Sequence, residues 1–188
     1  MISTAQTDGV LRIGHGGHLI IAKGGTLDFA TQGGYTIAEA SGTMRVTFEA
    51  GATARMKRFI NGSNLDHTTQ FIADHAGVTT VEVSSAIFIR GGRLDVNLEQ
   101  YDLRNGSDLV LFTYLHKPSQ NTGFNEIQLT EGWSGTIDYN YVTDTGQKAI
   151  AMTDLKNKGH YVDIPEPKAY GLILSALTAA TALTRRRR

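Results

Sequence analysis

The chain has 188 residues, enough for one domain or for one domain with a tail. Hydrophobic residues make up 40% of it and charged residues 19%, with 21 glycines and 3 prolines, which is typical of a strand-and-turn protein that can bury a sizeable core. The absence of cysteine excludes disulfides, thiolate metal sites and cysteine nucleophiles.

The net charge of zero conceals a division along the chain. Lys168 and Arg185–Arg188 stand against Glu166 alone near the C-terminus, so residues 1–163 are mildly acidic. An acidic body lacks the basic face that nucleic-acid binding requires, and the short stretch "RMKR" at Arg55 to Arg58 does not supply one. No nucleic-acid partner is therefore predicted.

Five short units repeat at the start of the chain, and each begins at a glycine. Successive units start 8, 8, 8 and 9 residues apart, at Gly9, Gly17, Gly25, Gly33 and Gly42. In each unit the second and fourth positions after the glycine are large and apolar: Leu11/Ile13, Leu19/Ile21, Leu27/Phe29, Tyr35/Ile37 and Met44/Val46. This alternation predicts strands with one buried face, joined by turns at glycine.

The spacing of these units favours a single-stranded right-handed β-solenoid over a meander of hairpins, because eight residues leave little room for chain reversal. Three units of about 24 to 26 residues would close one coil, placing Leu19 near Met44 and Ile21 near Val46. A compact β-sandwich is the alternative, and antiparallel hairpins between Gly9 and Val46 would indicate it.

The strand pattern continues through the rest of the body. Gly51 opens a unit with Thr53 and Arg55 at the core positions, so this strand is expected to end the run or turn outward. The segments "VEVSSAIFI", "GGRLDVNL" and "LVLFTYL" predict further strands, followed by "NTGFNEIQL" and "WSGTIDYNYV". No amphipathic helix is predicted before residue 163.

The units from Gly9 to Val46 resemble the glycine-anchored strand repeats of autotransporter-type β-helix passengers. The second half resembles the closing segment of such proteins, in the strand from Leu94 to Leu98, Gly106 before Leu111-Phe112, Gly123-Phe124, and Ile127-Gln128-Leu129. The resemblance covers roughly residues 9–152 and implies an autotransporter-passenger-like or pectin-lyase-like β-helix.

The last 24 residues contain three features in order: Pro165-Glu166-Pro167, an apolar run over 169–184, and Arg185, Arg186, Arg187 and Arg188. As a helix the run would span about 24 Å, short of a bilayer core of about 30 Å, although the arginines can extend its reach. Arginine clusters remain on the cytoplasmic side of a membrane, which predicts that residues 1–168 lie outside.

These three features strongly resemble the PEP-CTERM sorting signal. The resemblance implies an exported protein whose Pro165, Glu166 and Pro167 are read by an exosortase, with transient membrane attachment before cleavage. The two prolines keep the motif extended and accessible to a protease. Lys168-Ala169 departs from the Ser-Thr pair that is common in the family.

The predicted organisation has a disordered or truncated N-terminus (1–8), a β-solenoid body (9–162) and a sorting tail (163–188). The first ten residues contain neither a basic segment nor an apolar one, so they are no secretory signal. We therefore expect the natural N-terminus to lie further upstream.

Few residues of the body suggest catalysis or metal binding. Asp66-His67 and Asp74-His75 repeat eight residues apart, but solvated turns explain them more simply than a metal site, and no metal or cofactor is predicted. Asp95, Asp102, Asp108 and Asp138 are scattered, whereas a polysaccharide lyase or hydrolase needs converging carboxylates. An enzyme is thus the minority interpretation.

Three aromatic residues form a candidate carbohydrate contact. Trp133, Tyr139 and Tyr141 are close in sequence, and Tyr139 and Tyr141 are expected on the same strand face. Exposed aromatics could stack on sugar rings, while buried ones would close the core. Together, the strand pattern and the two resemblances imply a structural or adhesive solenoid of the cell surface or exopolysaccharide matrix of a Gram-negative-type bacterium. A polysaccharide-binding or polysaccharide-cleaving β-helix is the alternative.

Overall fold

A computed structural model shows the architecture for residues 11–12, 16–30, 36–38, 43–62, 66–117 and 123–158. The protein is mainly β, and a single short 3-10 helix, Leu103–Asn105, interrupts the strands within these ranges. The strands are β1 Leu11–Arg12, β2 Gly17–Ile21, β3 Thr26–Asp28, β4 Thr36–Ala38, β5 Met44–Glu49, β6 Thr53–Asn61, β7 His67–Ile72, β8 Val81–Ile89, β9 Arg93–Asn97, β10 Leu109–His116, β11 Glu126–Leu129, β12 Trp133–Val142 and β13 Lys148–Asn157.

The strands form two sheets. The long sheet runs in the order β1-β4-β6-β8-β10-β13-β12, with β3 also paired to β6, and the short sheet runs β11-β9-β7-β5-β2. All pairs are parallel except β10 with β13 and β13 with β12. The chain therefore alternates between the sheets and returns one strand further along at each coil, which is a β-solenoid.

The parallel pairing confirms the predicted solenoid. Strands β1, β2 and β3 pair in parallel with β4, β5 and β6, so the hairpins that a β-sandwich would need between Gly9 and Val46 are not formed in the described part of this segment. Both β3 and β4 pair with β6, at opposite ends of that one strand. A coil thus contains three short units, as the glycine spacing predicts, and the bend in β6 separates the second unit from the third.

The predicted register of the first coil is wrong by two residues. Leu19 lies beside Val46 and Ile21 beside Phe48, whereas Met44 lies beside Gly17. Since side chains alternate with a period of two, a slip of two residues keeps every side chain on its own face. The in-out pattern therefore cannot fix this register, and the packing of the interior decides it.

The interior is filled by columns of equivalent residues from successive coils. Ile21, Phe48, Phe71 and Val96 occupy one column and are at most 5% exposed. Leu94, Val96 and Leu98 alternate inward as predicted.

The aromatic rings of the core also meet across the coils. Phe71 stacks on Phe48 with ring centroids 5.2 Å apart and meets Phe112 edge-on at 5.3 Å. These contacts join the two sheets through the centre of the solenoid.

The strand after Gly51 corrects a further expectation. Thr53 and Arg55 face outward, but the strand does not end the run, because Ala54 and Met56 fill the core. The inward positions then shift to Phe59 and Asn61, since Lys57 and Arg58 occupy the bend. A single in-out alternation counted from Gly51 therefore does not describe β6, because the alternation shifts by one residue where the strand bends.

An antiparallel hairpin closes the long sheet at its C-terminal side. Strand β13 pairs with β10 and carries Ile150 and Met152 into the core, and β12 covers the outer edge of β13. The short sheet ends differently, because β11 has β9 as its one neighbour among the described strands.

The chain divides between Asn157 and Lys158 into two compact units, and of the second unit only Lys158 is described. The segment 1–8, the sorting motif Pro165-Glu166-Pro167, the helix predicted for 169–184 and Arg185–Arg188 all lie outside the described residues. Within those residues no helix is long and apolar enough to cross a membrane. The domain boundaries stay predictions.

Candidate functional site

A groove lies on the outer face of the long sheet, beside the turn that joins β12 to β13. Its volume is about 770 Å³, which falls in the range of small-ligand sites. Its floor crosses β6, β8 and β10, and Gly146–Lys148 of the turn form one wall. Sequence reasoning did not identify this groove, because its lining extends from Ala30 to Lys148, 118 positions apart.

The floor of the groove bends at a bulge in β8. Val83 pairs with Met56 on one side and Tyr114 on the other, and Ala86 pairs with Arg58 and His116. Ser84 and Ser85 therefore stand opposite the single residues Lys57 and Leu115. An extra residue in the middle strand bends the sheet and re-aims nearby side chains, which is how bulges commonly shape sites.

One end of the groove carries a ladder of alternating charge across three coils. The Arg55 guanidinium lies 3.0 Å from the carboxylate of Glu82 and 3.9 Å from that of Asp28. Parallel register places the three residues side by side, because Asp28 pairs with Arg55 and Arg55 with Glu82. Arg55 is thus neutralised by its neighbours.

The opposite end carries two basic side chains without such neighbours. Lys148, at the start of β13, and His116, at the end of β10, both line the groove. Within the described part of the chain, neither side chain makes a hydrogen bond or an ion pair. Between them lies Leu115, whose side chain is 57% exposed. The groove therefore combines free positive charge, hydroxyl groups and one apolar contact.

Tyr139, one of the predicted aromatic contacts, holds the closing hairpin in place. Its hydroxyl accepts a hydrogen bond of 2.8 Å from the backbone N–H of Phe124. Its ring lies so close to Gly123 that a Cβ there would be 2.9 Å away, and this glycine has a φ of +87°. Burial raises the pKa of Tyr139, and the Phe124 N–H lowers it to a lesser extent.

Trp133 also lies against the core, at the start of β12. It is half-buried, and its ring centroid lies 6.0 Å from that of Tyr101. The Tyr101 hydroxyl in turn donates a hydrogen bond of 2.8 Å to the carbonyl of Gly106.

Tyr141 lies on the other face of β12 from Tyr139, so the expectation of a shared face is wrong. Asp138 pairs with Ala151 and Tyr141 with Ala149, which inserts one extra residue into β12 between them. Tyr139 packs against the core, while the Tyr141 hydroxyl lies 3.4 Å from the Asp108 carboxylate on the outer face. The structure thus brings no pair of these tyrosines together, and their role in glycan stacking stays a prediction.

The four candidate carboxylates fall into three environments. Asp108 and Asp138 lie near Tyr141, whose pKa is raised by desolvation first and then by Asp108. Asp102 accepts hydrogen bonds from Arg104, which lower its pKa to about 2. Asp95 lies on the outer face of the short sheet, where desolvation raises its pKa.

The two Asp-His pairs lie in different surroundings. His67 is buried in the short sheet at 1% exposure, whereas His75 is exposed in a turn and Asp74 pairs with Lys23 at 3.1 Å. No group of three histidine or acidic residues that could hold a metal ion occurs in the described ranges.

No family model, curated protein or solved structure matches the chain. The chain's own fold, groove and sequence motifs are therefore the basis for its function.

Proposed function

We propose that the chain is an exported structural or adhesive β-solenoid of the cell surface or extracellular matrix of a Gram-negative-type bacterium. The observation that supports this role most is the stack of parallel coils around a continuous aromatic and aliphatic core. In such a stack each coil supports the next, which suits a spacer or adhesin. The proposal includes a right-handed coil, as in autotransporter passengers and pectin-lyase-like β-helices.

We further propose that the C-terminal tail directs this body to its destination. Pro165, Glu166 and Pro167 would be recognised by an exosortase while the apolar segment 169–184 holds the chain in the membrane and Arg185–Arg188 remain cytoplasmic. The sequence motif supports this part of the proposal.

The test is surface display in a bacterium that encodes an exosortase, using the full gene with and without residues 164–188. Deleting the tail is expected to abolish display. Replacing Pro165, Glu166 and Pro167 with alanine should block processing, whereas the control Lys168→Ala should be displayed as the parent is. Undiminished display after removal of the tail would falsify the sorting proposal.

Polysaccharide binding is the second candidate function, and the groove on the long sheet favours it. The groove offers hydroxyl, amide and cationic side chains on a rigid sheet, as a carbohydrate site requires. Polysaccharide cleavage has less support, because Glu82 is the one carboxylate lining the groove in the described part of the chain, and it is ion-paired with Arg55.

A further inference from the structure

The groove lies on a sheet face and not at a sheet edge, and this limits what can bind there. The backbone groups of β6, β8 and β10 are already paired with one another in the sheet. An extended peptide that binds by adding a strand needs unpaired backbone groups, which this surface does not offer. Recognition must therefore come from side chains, and the ligand must supply polar groups along its own length.

The groove also has a direction. Its lining extends from Ala30, after β3, to Lys148 on β13, across the strand order β3-β6-β8-β10-β13. Four strand spacings correspond to about 19 Å, so the groove crosses the strands and follows the solenoid axis. An elongated ligand with regularly repeated polar groups fits such a surface.

Along the middle of this path the side chains suit hydroxyl groups. Ser84 and Thr113 offer hydroxyls that both donate and accept, and Gln147 offers an amide. The exposed side chain of Leu115 gives an apolar contact for the C–H face of a ring. These groups together match the alternation of hydroxyls and C–H surface on a sugar chain.

The charged side chains of the groove favour an acidic sugar over a neutral one. Arg55 is neutralised by Glu82 and Asp28, whereas Lys148 and His116 make no ion pair within the described residues. A carboxylate at this end would form a charge-assisted hydrogen bond with Lys148, which is among the stronger polar contacts in proteins. A neutral sugar would offer no negatively charged group to pair with Lys148.

We propose that this groove binds an oligosaccharide that carries carboxylate groups, with Lys148 contacting a carboxylate and the Ser84–Ser85 bulge shaping the floor. The inference rests on the second proposed function and names its site and ligand class. It does not depend on the sorting tail.

The experiment is a calorimetric titration of the full chain, purified in a mild nonionic detergent, with a tetramer of glucuronic acid. The matched ligand is the same tetramer with its carboxylates methyl-esterified, which keeps the ring and removes the charge. Lys148→Gln is expected to weaken binding of the acidic tetramer by roughly tenfold or more. The control Lys156→Gln alters an exposed lysine on the same strand, away from the groove, and should leave binding unchanged.

A second variant acts in the opposite direction. Glu82→Gln removes a negative charge from the groove and leaves Arg55 paired with Asp28 alone, so binding of the acidic tetramer should tighten by about two- to fivefold. Weaker binding of this variant would contradict the proposed site.

Three other outcomes would also overturn the proposal: no binding to the parent chain, equal binding of the esterified tetramer, or equal losses in Lys148→Gln and Lys156→Gln. None of them bears on the tail. The display experiment therefore distinguishes failure of this inference from failure of the sorting proposal.

Discussion

In the stacked coils one inward position is repeated by Ile21, Phe48, Phe71 and Val96, and the last three each have a described strand of the short sheet on both sides. In the closing hairpin no further coil follows among the described strands, and β12 covers the last strand with half-buried side chains and a bulge. The comparison shows that the same apolar interior is completed by repetition in one region and by individual contacts in the other. Stability in the stack should therefore depend on volume, and stability in the hairpin on specific hydrogen bonds.

The largest expected effect is in the stack. Phe71→Ala removes a fully buried ring that contacts both Phe48 and Phe112, so the free energy of unfolding should fall by about 3–5 kcal/mol. The control Ile127→Ala lies on β11, where the side chain is 39% exposed, and should cost roughly 1 kcal/mol. Denaturant unfolding curves measure both values. Equal losses would show that the central coils are no better packed than the last strand.

The intermediate effect is in the closing hairpin. Tyr139→Phe removes the oxygen that accepts the Phe124 N–H and leaves that donor without its partner, so stability should fall by about 1–2 kcal/mol. Tyr141→Phe is the matched control, because its hydroxyl lies 3.4 Å from Asp108 on the outer face, and its cost should be within about 0.5 kcal/mol. Thermal unfolding of the two variants tests the comparison. Equal costs would mean that the Tyr139 hydrogen bond does not hold the hairpin.

The smallest expected effect is a difference in how two carboxylates make the stability of the fold depend on pH. Desolvation raises the pKa of Asp95 in the stack, although Arg93 and Arg45 oppose the shift. Its contribution to stability is therefore present below the ordinary pKa of 3.8 and is lost as the pH rises through the folded value. The Asp95→Asn variant should lose less stability than the parent when the pH is raised from acidic to neutral.

Asp102, before the hairpin, should behave in the opposite way. Hydrogen bonds from Arg104 lower its pKa to about 2, so its contribution is present above pH 3.8 and is lost as the pH falls toward 2. Unfolding curves for both variants should therefore differ from the parent near neutral pH but in opposite directions, with Asp95→Asn gaining stability relative to the parent and Asp102→Asn losing it. A change in the same direction in both variants would contradict the assigned environments.

Much of the fold was predictable because it repeats. The glycine spacing and the period-two alternation of Leu19/Ile21 and Met44/Val46 identify strands with one buried face, and Leu94, Val96 and Leu98 repeat the pattern later. The register was not predictable, since a slip of two residues leaves the same side chains facing inward. Packing around Phe48 and Phe71 decides it.

The candidate site was less predictable. The sequence identifies Trp133 and Tyr139 as aromatic residues of a strand. It does not reveal the bulge in β12, which places Tyr139 and Tyr141 on opposite faces. The groove depends on Arg55, Ser84, His116 and Lys148, which come from four strands. The sequence did contain one signal of the bend beside the groove. Lys57 and Arg58 interrupt the alternation of apolar and polar residues in β6 at the point where the sheet bends.

By itself, the sequence determined that this chain builds short strands at a near-constant spacing, with apolar residues on one face and no cysteine chemistry. These properties are local, because they follow from side-chain alternation and from the turns that glycine allows. The tertiary structure alone decided which strands pair, where the coils bend, and which polar side chains meet in one groove. Those features depend on contacts between residues 23 to 31 positions apart in neighbouring coils, and no local pattern encodes the distance between two coils.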